Sequence, residues 1–186
     1  MVARTNLQKT EWWKIFVDGS STSLGSGTGI VIETPQGDRL QYAIKFNFAA
    51  SNNEAEYKAV IAGGKLALVA GAKHLKAHSD SQLVVNQIRG DYEAKRSKMT
   101  KNLSCIQTLM KFDEFAIEQI PRSKNEESDQ LARLASSLTP LKSRSITCLR
   151  QKCSEVEAEK EEVLTGVALP SWKDGLEAYL KTEILP

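Results

Sequence analysis

The sequence predicts an α/β layer domain: a mixed five-stranded sheet, three antiparallel strands then parallel ones, flanked by helices and followed by a C-terminal tail. Short apolar runs divided by turn residues fill the first quarter of the chain. Helical periodicity then alternates with two further short apolar runs. Beyond Thr139 the apolar pattern gives way to a basic run and then an acidic one. A length of 186 residues suits one domain with a tail. The boundaries read as an N-terminal extension over 1–11, the domain over 12–138 and a linker and tail over 139–186.

The first strand is expected at Lys14–Val17, closed by the turn residues Asp18-Gly19-Ser20. A second runs from Thr28 to Glu33, entered through Leu24-Gly25-Ser26-Gly27, and Pro35-Gln36-Gly37-Asp38 turns the chain into a third over Arg39–Phe46. Short connections make these three antiparallel neighbours. Ser51-Asn52-Asn53-Glu54 opens a helix, with Ala55, Ala59, Ala62, Leu66 and Val69 on one face and Gly71 at its end. Gly63-Gly64 inside that helix reads as close packing against the sheet. Leu75–Ser79 is a short strand, Ser81–Ile88 a helix, and Ala94–Lys111 a further helical pattern. Phe115–Ile120 is the fifth strand and Glu126–Ser136 the last helix, with Leu131 and Leu134 facing inward.

Composition excludes little. Hydrophobic residues are 41%, charged residues 26%, and the net charge is +2, too near neutral to announce a nucleic-acid partner by itself. Cys105, Cys148 and Cys153 are scattered and odd in number, and neither histidine, His74 or His78, is near them, so free thiols are read rather than disulfides or zinc. No membrane span is long enough, and the opening residues have no apolar core. The expectation is an intracellular protein, cytoplasmic or nuclear and not secreted.

Four acidic signatures stand in order: Phe-Val-Asp-Gly-Ser around Asp18, Asn-Asn-Glu-Ala-Glu around Glu56, Ser-Asp-Ser-Gln around Asp80 and Glu-Ser-Asp-Gln-Leu-Ala around Asp129. Singly they are a turn acid, a helix-dipole acid, a helix cap and a helix-surface acid. Together they fall at strand ends and helix starts, where distant segments converge. Converging carboxylates need counter-charge, and hard Mg²⁺ prefers oxygen ligands. Two such ions about 4 Å apart are a device for phosphodiester cleavage.

The ordered set resembles type 1 ribonuclease H. Asp18-Gly19-Ser20, Asn52-Asn53-Glu54-Ala55-Glu56, Asp80-Ser81-Gln82 and Asn125 through Ala132 match the family's motifs over Trp12–Ser137. The resemblance implies the ribonuclease H-like fold and hydrolysis of the RNA strand of RNA–DNA hybrids, leaving 5′-phosphate and 3′-hydroxyl ends. It makes Asp18, Glu56, Asp80 and Asp129 the catalytic metal ligands for two Mg²⁺ ions, with Mn²⁺ as the alternative ion. Asp18 would bridge them, Asp129 would hold the ion that activates water, and Glu56 and Asp80 the ion on the leaving-group side. Gly19, Ser20, Asn52, Asn53, Ser81, Gln82 and Arg122 would contact nucleic acid; amides can both donate to and accept from a 2′-hydroxyl.

The sequence also departs from bacterial members of the family. No histidine follows His78; the loop reads Ile120-Pro121-Arg122-Ser123-Lys124-Asn125, similar to the archaeal-type branch. The basic helical handle is missing, with Lys95, Arg96, Lys98 and Lys101 as a smaller basic patch. The tail, from Leu169-Pro170-Ser171-Trp172 to Leu185-Pro186, resembles the connector that leads toward integrase in plant gypsy-type retrotransposon Pol polyproteins. That resemblance implies reverse transcriptase and integrase regions as partners. The competing reading is a retired domain of this fold that binds nucleic acid without cutting it.

Overall fold

The computed structural model describes residues 11–46, 48–93, 103–104, 106, 111–137, 146–151 and 161–164, the last two stretches by backbone alone. β1 (Trp12–Thr22), β2 (Gly25–Glu33) and β3 (Arg39–Phe46) form an antiparallel meander, followed by α1 (Asn52–Val69), β4 (His74–Ser79), α2 (Gln82–Arg89), β5 (Glu114–Gln119) and α3 (Glu126–Ser136). β4 pairs parallel to β1, and β5 parallel to β4. The five expected strands are therefore present in the expected chain order, and side by side in the sheet they run β5-β4-β1-β2-β3. Leu103, Ser104 and Ile106 are helical, Lys111 is not, and the rest of the expected 94–111 helix lies outside the described residues, as do the basic patch and the 165–186 segment.

Two features depart from the sequence reading. Asp18-Gly19-Ser20 is not a turn: β1 runs on to Thr22, and Asp18, Gly19 and Ser20 pair with Gly29, Thr28 and Gly27 of β2. Pairing along a full ladder outweighs local turn preference, and the reversal moves to Ser23-Leu24. The linker also contributes strands. β6 (Ile146–Gln151) pairs parallel to the open edge of β3, and β7 (Glu161–Leu164) pairs antiparallel to β6. The free backbone groups of β3 and the β-branched Ile146-Thr147 start account for the extension.

Helices cover both faces. α1 lies over Ile15, Val17, Ile30 and Ile32, all fully buried, and supplies Tyr57, Ala59, Val60 and Ile61 to the same core. Its Ser51 cap and Glu54 form a reciprocal capping box, so Glu54 serves the helix terminus. α3 covers the opposite face, where Leu131 and Ala135 meet Val31, Ala43 and Phe16. Full burial of such side chains contributes about 1.5–3 kcal/mol each.

Glycines set how closely the helices approach. A Cβ on Gly29 would sit 2.0 Å from the Ser128 carbonyl oxygen and 2.6 Å from the Ala132 nitrogen. A Cβ on Gly63 would meet Ile15 and Val17 at 3.0 and 3.1 Å, which bears out its reading as a packing point. Since backbone cannot yield as a side-chain tip can, Gly29→Ala is expected to lift α3 from the sheet and cost at least about 1–3 kcal/mol. Urea denaturation at constant m-value measures this; an unchanged midpoint would refute the close-approach account.

Candidate metal centre

The parallel β1–β4 register aligns the first two acids. Phe16 pairs with His78, so two residues further on Asp18 and Asp80 stand level, Asp80 just past the carboxyl end of β4 and Asp18 within β1 beyond its parallel pairing with β4. Open α/β sheets place their ligand sites at such ends. Asp80 is not used as a helix cap: Ser81 caps α2, its hydroxyl accepting from the Val84 amide. Glu56 comes from the first turns of α1, which can reach the strand because residue 19 is glycine. A Cβ there would lie 2.3 Å from the Ala55 carbonyl carbon and the Glu56 nitrogen.

Carboxylate oxygens of Asp18, Glu56 and Asp80 all lie within 4.8 Å of one another. Burial leaves Asp18 only 4% exposed and, with the neighbouring charges of Asp80 and Asp129, pushes its pKa up to about 7. Burial first, then the charges of Asp18 and Asp80, pushes Glu56 up to about 9, against a stabilising hydrogen bond from the Gly19 amide. The Oε2 atom of Glu56 is buried and has no hydrogen-bond partner among the described residues. A buried acceptor without a donor, inside a trio of hard oxygen ligands carrying excess negative charge, fits a divalent cation.

Asp129 stands differently from the sequence expectation of one four-acid cluster. It is near enough for its charge to act on Asp18 but lies outside the trio, held by two arginines. Arg122 Nη2 reaches its Oδ1 at 3.2 Å, and Arg133 Nε reaches its Oδ2 at 3.0 Å. Arg122 also approaches Asp80 Oδ2 at 3.8 Å. The side chain of Arg122 is 69% exposed, so it lines the mouth of the site.

The residues expected to contact nucleic acid differ in exposure and in local partners. Asn52 and Gln82 are exposed and Asn53 is half-buried. Asn52 Oδ1 accepts from the Ser21 amide at 2.9 Å, which fixes its orientation. Ser20 faces Ser136 at 3.2 Å, Ser81 is occupied by capping, and Gly19 serves the approach of α1. Asn125 is a residue to which sequence reasoning gave no role. It is fully buried, and instead of capping α3 its Nδ2 donates to the Val17 carbonyl at 2.9 Å and to Asp80 Oδ1 at 3.3 Å. Ser128 donates to the Asn125 carbonyl and to its Oδ1. The signal in the sequence was Asn125 itself, inside the last motif. Arg133 was missed too, although it lies four residues beyond Asp129 on the same helical face.

A family model described as reverse transcriptase-like matches residues 16–135. The chain belongs to this family. Its reverse transcriptase-like domain is similar to Ribonuclease HI of Halobacterium salinarum, 36% identical over 46% of this chain and 44% of that protein, so the match spans less than half of that relative. It is 37% identical to EbsB of Enterococcus faecalis over 66% of this chain and 92% of EbsB. Among solved structures, RNase H1 of Halobacterium salinarum superposes with a TM-score of 0.62 at 28% identity, covering 67% of this chain and 96% of that one. LC11-RNase H1, solved in complex with RNA/DNA hybrid, gives 0.59 at 26% identity over 66% and 94%. The reverse transcriptase-like domain therefore has the ribonuclease H fold that its motifs implied.

Raised carboxyl pKa values have a stability consequence. With no metal bound, the folded state holds protons on Asp18 and Glu56 that the unfolded chain gives up near the ordinary carboxyl values of 3.8 and 4.5. Stability of the metal-free protein should then fall as pH rises from about 4 through about 9. Melting temperature measured in chelator from pH 5 to 9 checks this, and Asp18→Asn or Glu56→Gln should flatten the slope. A metal-free protein that grows more stable over that window would contradict the assignment.

Proposed function

We propose that this chain is an RNA–DNA hybrid ribonuclease, a metal-dependent hydrolase that cuts the RNA strand endonucleolytically and leaves 5′-phosphate products. The observation that carries the reading is the Asp18–Glu56–Asp80 trio, assembled where β4 ends beside β1 and α1 begins. It is supported by membership of the family, by a relative named Ribonuclease HI and by a neighbour solved with RNA/DNA hybrid.

Asp18, Glu56 and Asp80 would hold the ion, with Asp129 on the far side contributing to a second; two Mg²⁺ ions are proposed, with Mn²⁺ as the alternative. Bound there, divalent ions supply charge neutralisation at the scissile phosphate and an acidified water. The chain's own residues do the rest. Asn125 keeps Asp80 aimed by its Nδ2 hydrogen bond, and the Gly19 amide steadies Glu56. Asn52, Asn53 and Gln82 present amides to the groove, where a 2′-hydroxyl distinguishes the RNA strand. Arg122 offers a guanidinium suited to phosphate oxygens. Helices on both sheet faces hold the acids at fixed spacing, so their geometry precedes substrate binding.

A retrotransposon Pol setting, in the cytoplasm or nucleus with reverse transcriptase and integrase regions alongside, is proposed on the Leu169-Pro170-Ser171-Trp172 tail sequence. Purified chain incubated with a labelled hybrid should cut the RNA strand only with divalent metal. Asp80→Asn, which keeps shape and removes one ligand charge, should abolish cutting while binding persists. Hybrid bound but never cut by the native chain would favour the retired binding module, and cleavage that continues in chelator would reject a metal-dependent reaction.

A further inference from the structure

Arg122 stands where a cation would be expected. Its Nη2 lies 3.2 Å from Asp129 Oδ1 and its Nε 3.8 Å from Asp80 Oδ2, so one guanidinium spans the gap between two acids assigned to metal binding. It projects from the three-residue 3-10 turn Arg122–Lys124 between β5 and α3, and at 69% exposed it can swing into solvent without unpacking anything. Asp129 is itself 15% exposed, and Arg133 meets its other oxygen at 3.0 Å from the next turn of α3. Asp80 Oδ1 accepts from the buried Asn125. Both carboxylates have a second partner on their outer sides, and Arg122 is the group that stands between them.

We infer that Arg122 is a displaceable counter-ion: it occupies the Asp80–Asp129 side of the centre when no metal is bound and must withdraw for a divalent cation to take the Asp129 oxygen. A guanidinium and a metal ion compete for the same lone pairs and repel each other at this range. Arg133 is a positioning residue that keeps Oδ1 of Asp129 turned toward the competition. The consequence is an asymmetric centre. Arg122 lies closer to Asp129 than to Asp80, so the Asp129 side binds weakly until Arg122 leaves. A phosphate entering the mouth gives the released guanidinium its next partner, so substrate arrival and full metal occupancy are coupled. This inference rests on the proposed metal-binding role of the four acids and does not require that the chain cut hybrid.

The test is Mn²⁺ binding to the full chain without nucleic acid, followed by electron paramagnetic resonance and by the rise in melting temperature on adding metal. Arg122→Gln should bind the weaker ion roughly two- to fivefold more tightly than the native chain, the range set by loss of an exposed ion pair. In chelator it should melt lower, and Mn²⁺ should raise its melting temperature by more than it raises the native chain's. Arg122→Lys, which keeps the charge, should stay near the native affinity. Arg133→Gln removes an equal charge from Asp129 but leaves the Asp80–Arg122–Asp129 bridge, so its gain should be smaller. Equal gains in the two glutamine variants would assign the effect to net charge and overturn the inference. So would an unchanged or weakened affinity in folded Arg122→Gln, or the absence of Mn²⁺ binding in both it and the native chain. Hybrid cleavage in Mg²⁺ is scored separately; a chain that binds Mn²⁺ as described yet cuts nothing fails the ribonuclease reading alone.

Discussion

Repulsion among Asp18, Glu56 and Asp80 is the constraint around which this domain is organised. Left to themselves, like charges with oxygens inside 4.8 Å would separate into water. They stay because each is tied to backbone that cannot move independently. Asp18 is in the central strand, paired on one side with β2 and on the other with β4. The Thr28 hydroxyl donates to the Asp18 carbonyl at 2.6 Å. Asp80 leaves the parallel neighbour of that strand, and Glu56 rides a helix whose packing is among the most buried in the molecule. Their electrostatic tension is therefore stored by the hydrophobic core, and protons or a cation relieve it locally.

The same economy explains the small residues at the helix–sheet contacts. Gly19 admits the start of α1, and Gly29 admits the middle of α3 from the opposite face. Each sits beside a site residue: Gly19 follows Asp18, and Gly29 lies opposite it in the β1–β2 ladder. A methyl group at either would separate helix from strand by more than the spread of a metal coordination sphere tolerates. Packing density and site geometry are thus one requirement, not two.

Much of this was legible in the sequence because the acids occur at punctuation marks of the chain. Asp80 ends an apolar run before a Ser-capped helix, and Glu56 follows Asn52-Asn53 at a helix entry; local rules place both. β3 and α3 were read to the residue because their patterns have sharp borders. Where local rules misled, non-local pairing was stronger. Asp18-Gly19-Ser20 looks like a turn until β2 is laid beside it. Asn125 has no local signal of its role, because its amide is spent on Val17 and Asp80, far away in sequence. The arginine pair on Asp129 is a property of three dimensions for Arg122, whereas the Arg133 contact at helical spacing was there to be read. Ile146–Gln151 was hidden by surrounding charge, and only the unpaired rim of β3 makes it a strand.

The late position of α3 bears on how the protein is made. Residues for the trio emerge from the ribosome well before Asn125 and Asp129, and the intervening chain must be translated before α3 can close over β2. Until then β1 and β4 can already pair, but the Val17 carbonyl and one oxygen of Asp80 lack their buried donor. A nascent chain of that length would carry Asp18, Glu56 and Asp80 without the element that completes their hydrogen bonding. Long-range closure of this kind is slow compared with helix and hairpin formation. The trio's alignment therefore waits on a residue that lies 45 positions beyond Asp80 in the chain.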